Sequence, residues 1–239
     1  MPEREEPIIS VSGMRGIVGR SLTPEIMLRF AAAYAHEQPP GPLLVTRDGR
    51  LTGAMLVDAV RAALCASGRT VIDAGIAATP TAGVLVRQLR AAGGVQVTAS
   101  HNPPEYNGLK LFDAHGRVLN AQLGERVLQR YRQAEPGWAD HEHTGSVAET
   151  PPDPARHHLD LVLKTVDVTK IRARNFPVLL DSNHGAGGLL GRRLLEALGC
   201  RLTILGEAPD GRFAHAAEPT EENLATVGPA VRDARAAVG

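Results

Sequence analysis

Gly93-Gly94-Val95-Gln96-Val97-Thr98-Ala99-Ser100-His101-Asn102-Pro103-Pro104-Glu105-Tyr106-Asn107-Gly108-Leu109-Lys110 is the stretch on which the fold turns. Behind the glycine pair, Val95 to Val97 sets β-branched residues around a polar one, the pattern of a short buried strand. Small residues Ala99 and Ser100 then make a turn, and Asn102-Pro103-Pro104 bars a helix from starting there. Asn107-Gly108 predicts a second tight turn before Leu109-Lys110-Leu111-Phe112. A serine hydroxyl is thereby lifted off a strand end among an imidazole, an amide, a phenol and an amine. This is a setting for chemistry on serine; the plainer alternative is a strand-turn-strand whose Ser and Asn satisfy their own backbone.

The flanking sequence alternates strand and helix. Ile8-Ile9-Ser10-Val11 reads as a strand leading into the glycine-rich Ser12-Gly13-Met14-Arg15-Gly16-Ile17-Val18-Gly19. That segment reads as a loop in which Arg15 could grip a phosphate with two N–H groups, or as a turn with a solvated Arg. Thr23-Pro24-Glu25 supplies an N-cap, a first-turn proline and an acid, predicting a helix to about His36. Leu43-Leu44-Val45 is a strand ending in Thr46-Arg47-Asp48-Gly49-Arg50; Arg47 and Asp48 read as structural, Arg50 as either structural or facing the serine. A helix over Leu51–Ser67 closed by Gly68, a strand at Val71–Gly75 and a helix from Thr79-Pro80 follow. The alternation predicts an α/β layer domain with a mostly parallel mixed sheet over residues 1–135. Loops leaving the carboxyl ends of such strands converge on one crevice, here gathering Arg15, Arg47, Arg50 and Ser100.

Gln122–Gln133 reads as a helix, after which residues 136–154 lose periodicity and read as a linker. Its Asp140-His141-Glu142-His143 cluster suits a solvated connection better than a metal site. Residues 155–239 form a second, incomplete α/β domain: a helical stretch to about Arg174, a strand at Phe176–Leu180, a helix over Leu189–Leu198, a strand at Arg201–Leu205 and a helix over Gly228–Val238. The turn Asp181-Ser182-Asn183-His184-Gly185-Ala186-Gly187-Gly188 invites a dinucleotide reading, with Glu207 as a ribose acid. However, Leu190 stands where that fingerprint needs a small residue, and no Lys-Ser/Thr pair follows. The turn therefore reads as strand-to-helix architecture.

The 239 residues are 43% hydrophobic but 3% aromatic, so the cores are predicted to be aliphatic. Lys+Arg and Asp+Glu each number 26, which argues against recruitment by nucleic acid or an acidic membrane. Only Lys110, Lys164 and Lys170 are lysines; an amine that can release its proton is thus placed in the serine loop by a chain that otherwise prefers Arg. Cys65 and Cys200 lie far apart and read as buried reduced thiols. The charged start Met1-Pro2-Glu3-Arg4-Glu5-Glu6 lacks a signal core, and no apolar run reaches membrane length, so a cytoplasmic location is expected.

Thr98-Ala99-Ser100-His101-Asn102-Pro103 followed by Tyr106-Asn107-Gly108-Leu109-Lys110 resembles the phosphoserine loop of the α-D-phosphohexomutases: phosphomannomutases, phosphoglucomutases and phosphoglucosamine mutases. The Arg15 loop, Arg47-Asp48-Gly49-Arg50, the Gly185-Ala186-Gly187 turn and the loop ending Glu222-Asn223-Leu224 resemble further motifs of that family, though Ala216-Ala217 replaces a proline-rich filling. The resemblance implies that Ser100 carries a phosphoryl group exchanged with a hexose phosphate through a hexose 1,6-bisphosphate. It implies Arg15, Arg50, Asn102 and Lys110 as phosphate-binding residues, Lys110 as proton shuttle with His101 as rival, and Mg²⁺ reached by Ser100 through its phosphate. The family's Asp-x-Asp-x-Asp-Arg metal loop has no counterpart here, so the resemblance spans only the N-terminal half of a four-domain enzyme. Thr98 leans toward the phosphomannomutase and phosphoglucomutase branch. A phosphoglucosamine mutase and a non-catalytic sugar-phosphate or protein binding module remain as alternatives. A serine hydrolase is disfavoured, since adjacent Ser and His do not normally meet and no Gly-x-Ser-x-Gly elbow is present.

Overall fold

The structure, a computed structural model, describes residues 6–133, 136–150 and 152–239. The first five residues of the charged start, the predicted domain end at 135 and Pro151 of the predicted linker lie outside them. In chain order the elements are β1 (Ile8–Ser10), β2 (Gly13–Ile17), α1 (Pro24–His36), β3 (Leu43–Arg47), α2 (Gly53–Ala66), β4 (Val71–Ile76), α3 (Thr79–Gln88), β5 (Gly93–Val97), β6 (Tyr106–Phe112) and α4 (Ala121–Arg132). They continue with β7 (Val147–Ala148), α5 (Arg156–Leu163), α6 (Val168–Arg174), β8 (Pro177–Asp181), α7 (Gly187–Ala197), β9 (Arg201–Leu205) and α8 (Val227–Asp233).

Seven strands form one mixed sheet in the order β1-β2-β6-β5-β3-β4-β7. Pairings from β5 through β3 and β4 to β7 are parallel; those joining β5, β6, β2 and β1 are antiparallel. Strand periodicity builds a core on each face. Leu43 and Val45 of β3, with Val95 and Val97 of β5, pack under α1, α2 and α4, while Leu44 packs with Leu85 and Val86 of α3 on the other side. β3 is buried on both faces, which is why Leu43-Leu44-Val45 reads as a continuous apolar run; β5, equally buried, admits the polar Gln96, whose Nε2 donates to Ala77 O at 2.8 Å.

The Thr23 cap predicted for α1 holds, whereas Thr79 is itself the first residue of α3, which Ala78 precedes with no side-chain cap. Thr23 Oγ1 accepts from Ile26 N at 3.3 Å ahead of Pro24, and Asn120 Oδ1 accepts from Leu123 N at 2.9 Å to start α4. Buried Tyr34 of α1 donates its hydroxyl to the Phe112 carbonyl at 2.7 Å, tying that layer to the sheet, and burial pushes its pKa far up.

Five expectations are corrected. Arg15 lies on a strand, not in a loop: residues 13–17 pair with β6 in the register Gly13↔Lys110 and Arg15↔Gly108. Asn107-Gly108 is strand interior, not a turn; a Cβ on Gly108 would stand 2.1 Å from the Met14 carbonyl oxygen, so glycine serves a close approach. Part of the predicted linker is not free, since β7 adds a parallel edge to β4 and Val71 N donates to Ser146 O. The last helix stops at Asp233, and the chain then extends beside β8, with Leu179 N donating to Val238 O. The two cysteines are free but only half-buried.

Strands β8 and β9 pair in parallel as a second sheet with α7 against them. The two halves meet at several points. Thr81 Oγ1 and His158 Nδ1 lie 2.9 Å apart, and a Cβ on Gly49 would come within 2.4 Å of the Pro209 carbonyl oxygen; Arg193 of the second half also forks onto the carboxylate of Asp153, in the segment between them, at 2.7 Å.

Candidate active site

Ser100 follows β5 at its carboxyl end, beside the ends of β3 and β4, where a parallel sheet collects its loops. Its backbone is left-handed, φ +56°, an uncommon conformation for a residue with a Cβ, and its side chain is exposed. Such strain persists only where neighbours over-determine it. Thr98 Oγ1 donates to Asp48 Oδ2 at 2.6 Å and accepts from Ser100 N at 3.0 Å. Asn102 Nδ2 donates to Ala99 O at 2.7 Å, closing the turn.

Arg50 fixes the rest of the loop. It is 2% exposed, and all five of its N–H groups are committed: Nε to Asp48 Oδ2, Nη1 to the carbonyls of Pro103 and Tyr106, and Nη2 to those of Ser100 and Asn102. Burial pushes its pKa down and Asp48 pushes it back up. Phe213 from the second half covers the guanidinium, 5.1 Å from ring centroid to Cζ. The phosphate-binding role expected for Arg50 is therefore corrected: its donors hold backbone, and none remains for a ligand. Asn102, also expected to bind phosphate, gives one Nδ2 hydrogen to Ala99 O within the loop.

Arg15 and Lys110 do come together with Ser100. Directly opposed residues of an antiparallel pair share a face, as do residues two apart, so Gly13, Arg15, Gly108 and Lys110 all stand on one side of the sheet. Each cation is opposite a glycine, and the alternating Met14 and Leu109 fill the core on the other side. With Ser10, Ser12 and Ser100 the two cations line a cleft of about 180 Å³. A second cleft, about 270 Å³, opens on the other side of Ser100 between the two halves, lined by Gln96, Thr98, Ser182, Asn183 and Phe213 among others.

His101 is exposed, its Nδ1 3.5 Å from Ser100 Oγ and its Nε2 3.0 Å from the Glu218 carboxylate. Adjacent Ser and His, expected not to meet, are brought to this distance by the left-handed backbone at Ser100. Glu218 was invisible in the sequence reading, since nothing local signals a partner more than a hundred residues away. Its loop is pinned to the turn after β8. Asn183 Oδ1 accepts from Ala214 N and His215 N, and His215 Nε2 lies 2.8 Å from Asp181 Oδ2. The dinucleotide alternative finds no support, because Glu207 is paired with Arg192 and Asn183 is engaged by the 214–215 backbone.

Magnesium takes near-octahedral oxygen ligands, carboxylates among them. Here Ser100 Oγ offers one oxygen, while Asp48 and Glu218 are already engaged. Among the described residues no group of three His, Cys, Asp or Glu could hold a metal, and His143 is turned to Asp140 at 2.6 Å. The described residues thus do not fit the ion. Nor is any helix of these residues long and apolar enough to cross a membrane.

Two family descriptions match the chain: phosphoglucomutase/phosphomannomutase, alpha/beta/alpha domain I, over residues 7–137, and the corresponding domain II over residues 156–239. A phosphoglucomutase/phosphomannomutase of Thermococcus kodakarensis is 37% identical over 89% of this chain and 47% of its own length. A "probable phosphoglucosamine mutase" of Pyrococcus abyssi is 32% identical over 95% of this chain and 49% of its own. The crystal structure of a phosphoglucomutase/phosphomannomutase family protein from Burkholderia thailandensis superposes with a TM-score of 0.81 at 28% identity, over 96% of this chain and 52% of that one. The chain spans about half the length of the curated relatives it matches.

Proposed function

The chain belongs to the phosphoglucomutase/phosphomannomutase family, and from that premise we propose that it carries the phosphoserine of a phosphohexomutase. Ser100, once phosphorylated, gives its phosphoryl group to a hydroxyl of a hexose monophosphate. The resulting hexose 1,6-bisphosphate reorients and returns its other phosphoryl group to Ser100, releasing the isomer. Such transfer asks for in-line placement and for cations beside the equatorial oxygens more than for covalent intermediates on other side chains. Arg15 supplies the forked cation. Lys110 takes the proton from the attacking sugar hydroxyl and returns it to the departing one.

The observation that carries this reading is a single one: an exposed serine held left-handed, φ +56°, at the mouth of a cleft that Arg15 and Lys110 share. Hexose phosphates as a class are proposed rather than one sugar, because relatives under phosphoglucomutase/phosphomannomutase and phosphoglucosamine mutase names resemble the chain to similar degrees, 37% and 32%.

Incubation with glucose 1,6-bisphosphate followed by intact-mass measurement tests it. One phosphoryl adduct is expected, mapping to Ser100 and lost in Ser100→Ala. An unmodified wild-type chain would point instead to a sugar-phosphate binding module. Lys110→Met should slow phosphoryl transfer on the order of a hundredfold while weakening bisphosphate binding far less.

A further inference from the structure

We propose that Glu218 is a positioning residue for His101, so that the second half of the chain completes the serine site. Glu218 Oε2 lies 3.0 Å from His101 Nε2, and His101 Nδ1 lies 3.5 Å from Ser100 Oγ. A carboxylate can only accept, so it requires the proton on Nε2. Nδ1 then presents its lone pair to the serine hydroxyl. The order is carboxylate, imidazole, hydroxyl, with the carboxylate contributed across the boundary between the two halves.

Both partners are half-exposed, and a pair of long, free side chains in water would be worth little as an ion pair. What gives this one leverage is that Glu218 does not search for its partner. Asn183 holds Ala214 and His215 through their backbone N–H groups, at 2.8 and 3.2 Å, and Asp181 holds the His215 ring. Asn223 Nδ2 donates to the Glu218 carbonyl at 2.8 Å from the other side. The carboxylate is thus delivered by a fixed backbone, and orientation of the imidazole costs little further ordering.

For the chemistry, the inference rests on the mutase reading. When Ser100 takes a phosphoryl group from the bisphosphate, its Oγ bonds to phosphorus as the P–O bond to the sugar oxygen breaks. The serine proton passes to His101 Nδ1, and the released sugar oxygen takes a proton from the Lys110 ammonium. Lys110 and His101 then serve opposite ends of one transfer, instead of competing for a single role.

The 239-residue chain, labelled with ¹⁵N-histidine, provides a test that needs no turnover. In long-range ¹⁵N–¹H spectra His101 should show an unprotonated Nδ1 and a protonated Nε2. Glu218→Ala should give a mixture of tautomers, and Glu218→Gln, whose amide oxygen still accepts from Nε2, should restore the single form. With glucose 1,6-bisphosphate, Ser100 should be phosphorylated on the order of tenfold more slowly in Glu218→Ala than in wild type, with recovery in Glu218→Gln. A proton on Nδ1, or a spectrum indifferent to Glu218→Ala, overturns the proposal, as does an unchanged phosphorylation rate. Absence of any adduct on the wild type overturns the mutase reading instead, and the tautomer spectra still decide the role of Glu218.

Discussion

Arg50 spends a full set of five N–H donors on four loop carbonyls and one carboxylate. A lysine there would keep the charge but present its donors from one atom, and could not span carbonyls belonging to Ser100, Asn102, Pro103 and Tyr106. Arg50→Lys should therefore cost about 3 kcal/mol, which for a chain of this size lowers the unfolding midpoint by roughly 6–12 °C. Thermal unfolding checks it; an unchanged midpoint would mean the loop holds its strained serine unaided. The residue also marks a limit of sequence reading. Ser100 was legible because strand, turn and motif all point at it. Arg50 was not, because an Arg two residues after an Asp on a loop suits a ligand and a backbone staple equally. The difference lies in which carbonyls fold back over it, a property of tertiary structure. Arg15 and Lys110 were legible as residue types, but the register that sets each opposite a glycine was not.

Among the elements, the loop over residues 210–218 is short of regular structure yet tightly held, and its hold depends on a titrating ring. The His215 ring lies between the Ala216 carbonyl, 2.9 Å from Nδ1, and the Asp181 carboxylate, 2.8 Å from Nε2. Both neighbours accept, so the doubly protonated ring satisfies both, and its pKa is raised, first by the Ala216 carbonyl and then by Asp181. A raised folded pKa contributes stability that is complete below the ordinary value of 6.5 and fades as pH climbs through the folded one. Amide exchange at Ala214 and His215, corrected for intrinsic rates, should thus accelerate as pH climbs from below 6.5 through the raised pKa of the folded ring, and His215→Gln should flatten that dependence. A loop equally protected across the range would show that Asn183 alone suffices. Strand and helix identities here were readable from period and caps. Two misread elements share a cause: glycines in Gly13–Gly19 and at Gly108 signal freedom to turn, whereas Gly108 serves close strand approach, which sequence alone does not distinguish.

Across the whole molecule, stability is distributed unevenly, and the site straddles the difference. All five residues of β5 and four of five in β3 are buried, whereas β8 buries two and β9 none fully. Two paired strands with few fully buried residues hold less apolar area per residue than a seven-stranded sheet with a core on each face, so β8 and β9 should open at lower free energy. Ser100, Arg15 and Lys110 stand on the firm half; Glu218 rides on the softer one. Sequence reading gave the two α/β halves from their alternating pattern, but contacts such as Gly49 on Pro209 and His101 on Glu218 are long-range and leave no periodic trace. Leu179, 2% exposed on β8, offers a way to separate the halves. Leu179→Ala should remove about 2–4 kcal/mol from the second half. If the halves open separately, hydrogen exchange will quicken in β8, β9 and the 210–218 loop while β3 and β5 keep their protection. His101, its carboxylate partner loosened, will then lose its single tautomer without any change at Ser100 itself. Were Leu179→Ala instead to speed exchange equally in β3 and β9, the chain would be one cooperative unit, and the serine loop would be no firmer than the strands that bring Glu218 to it.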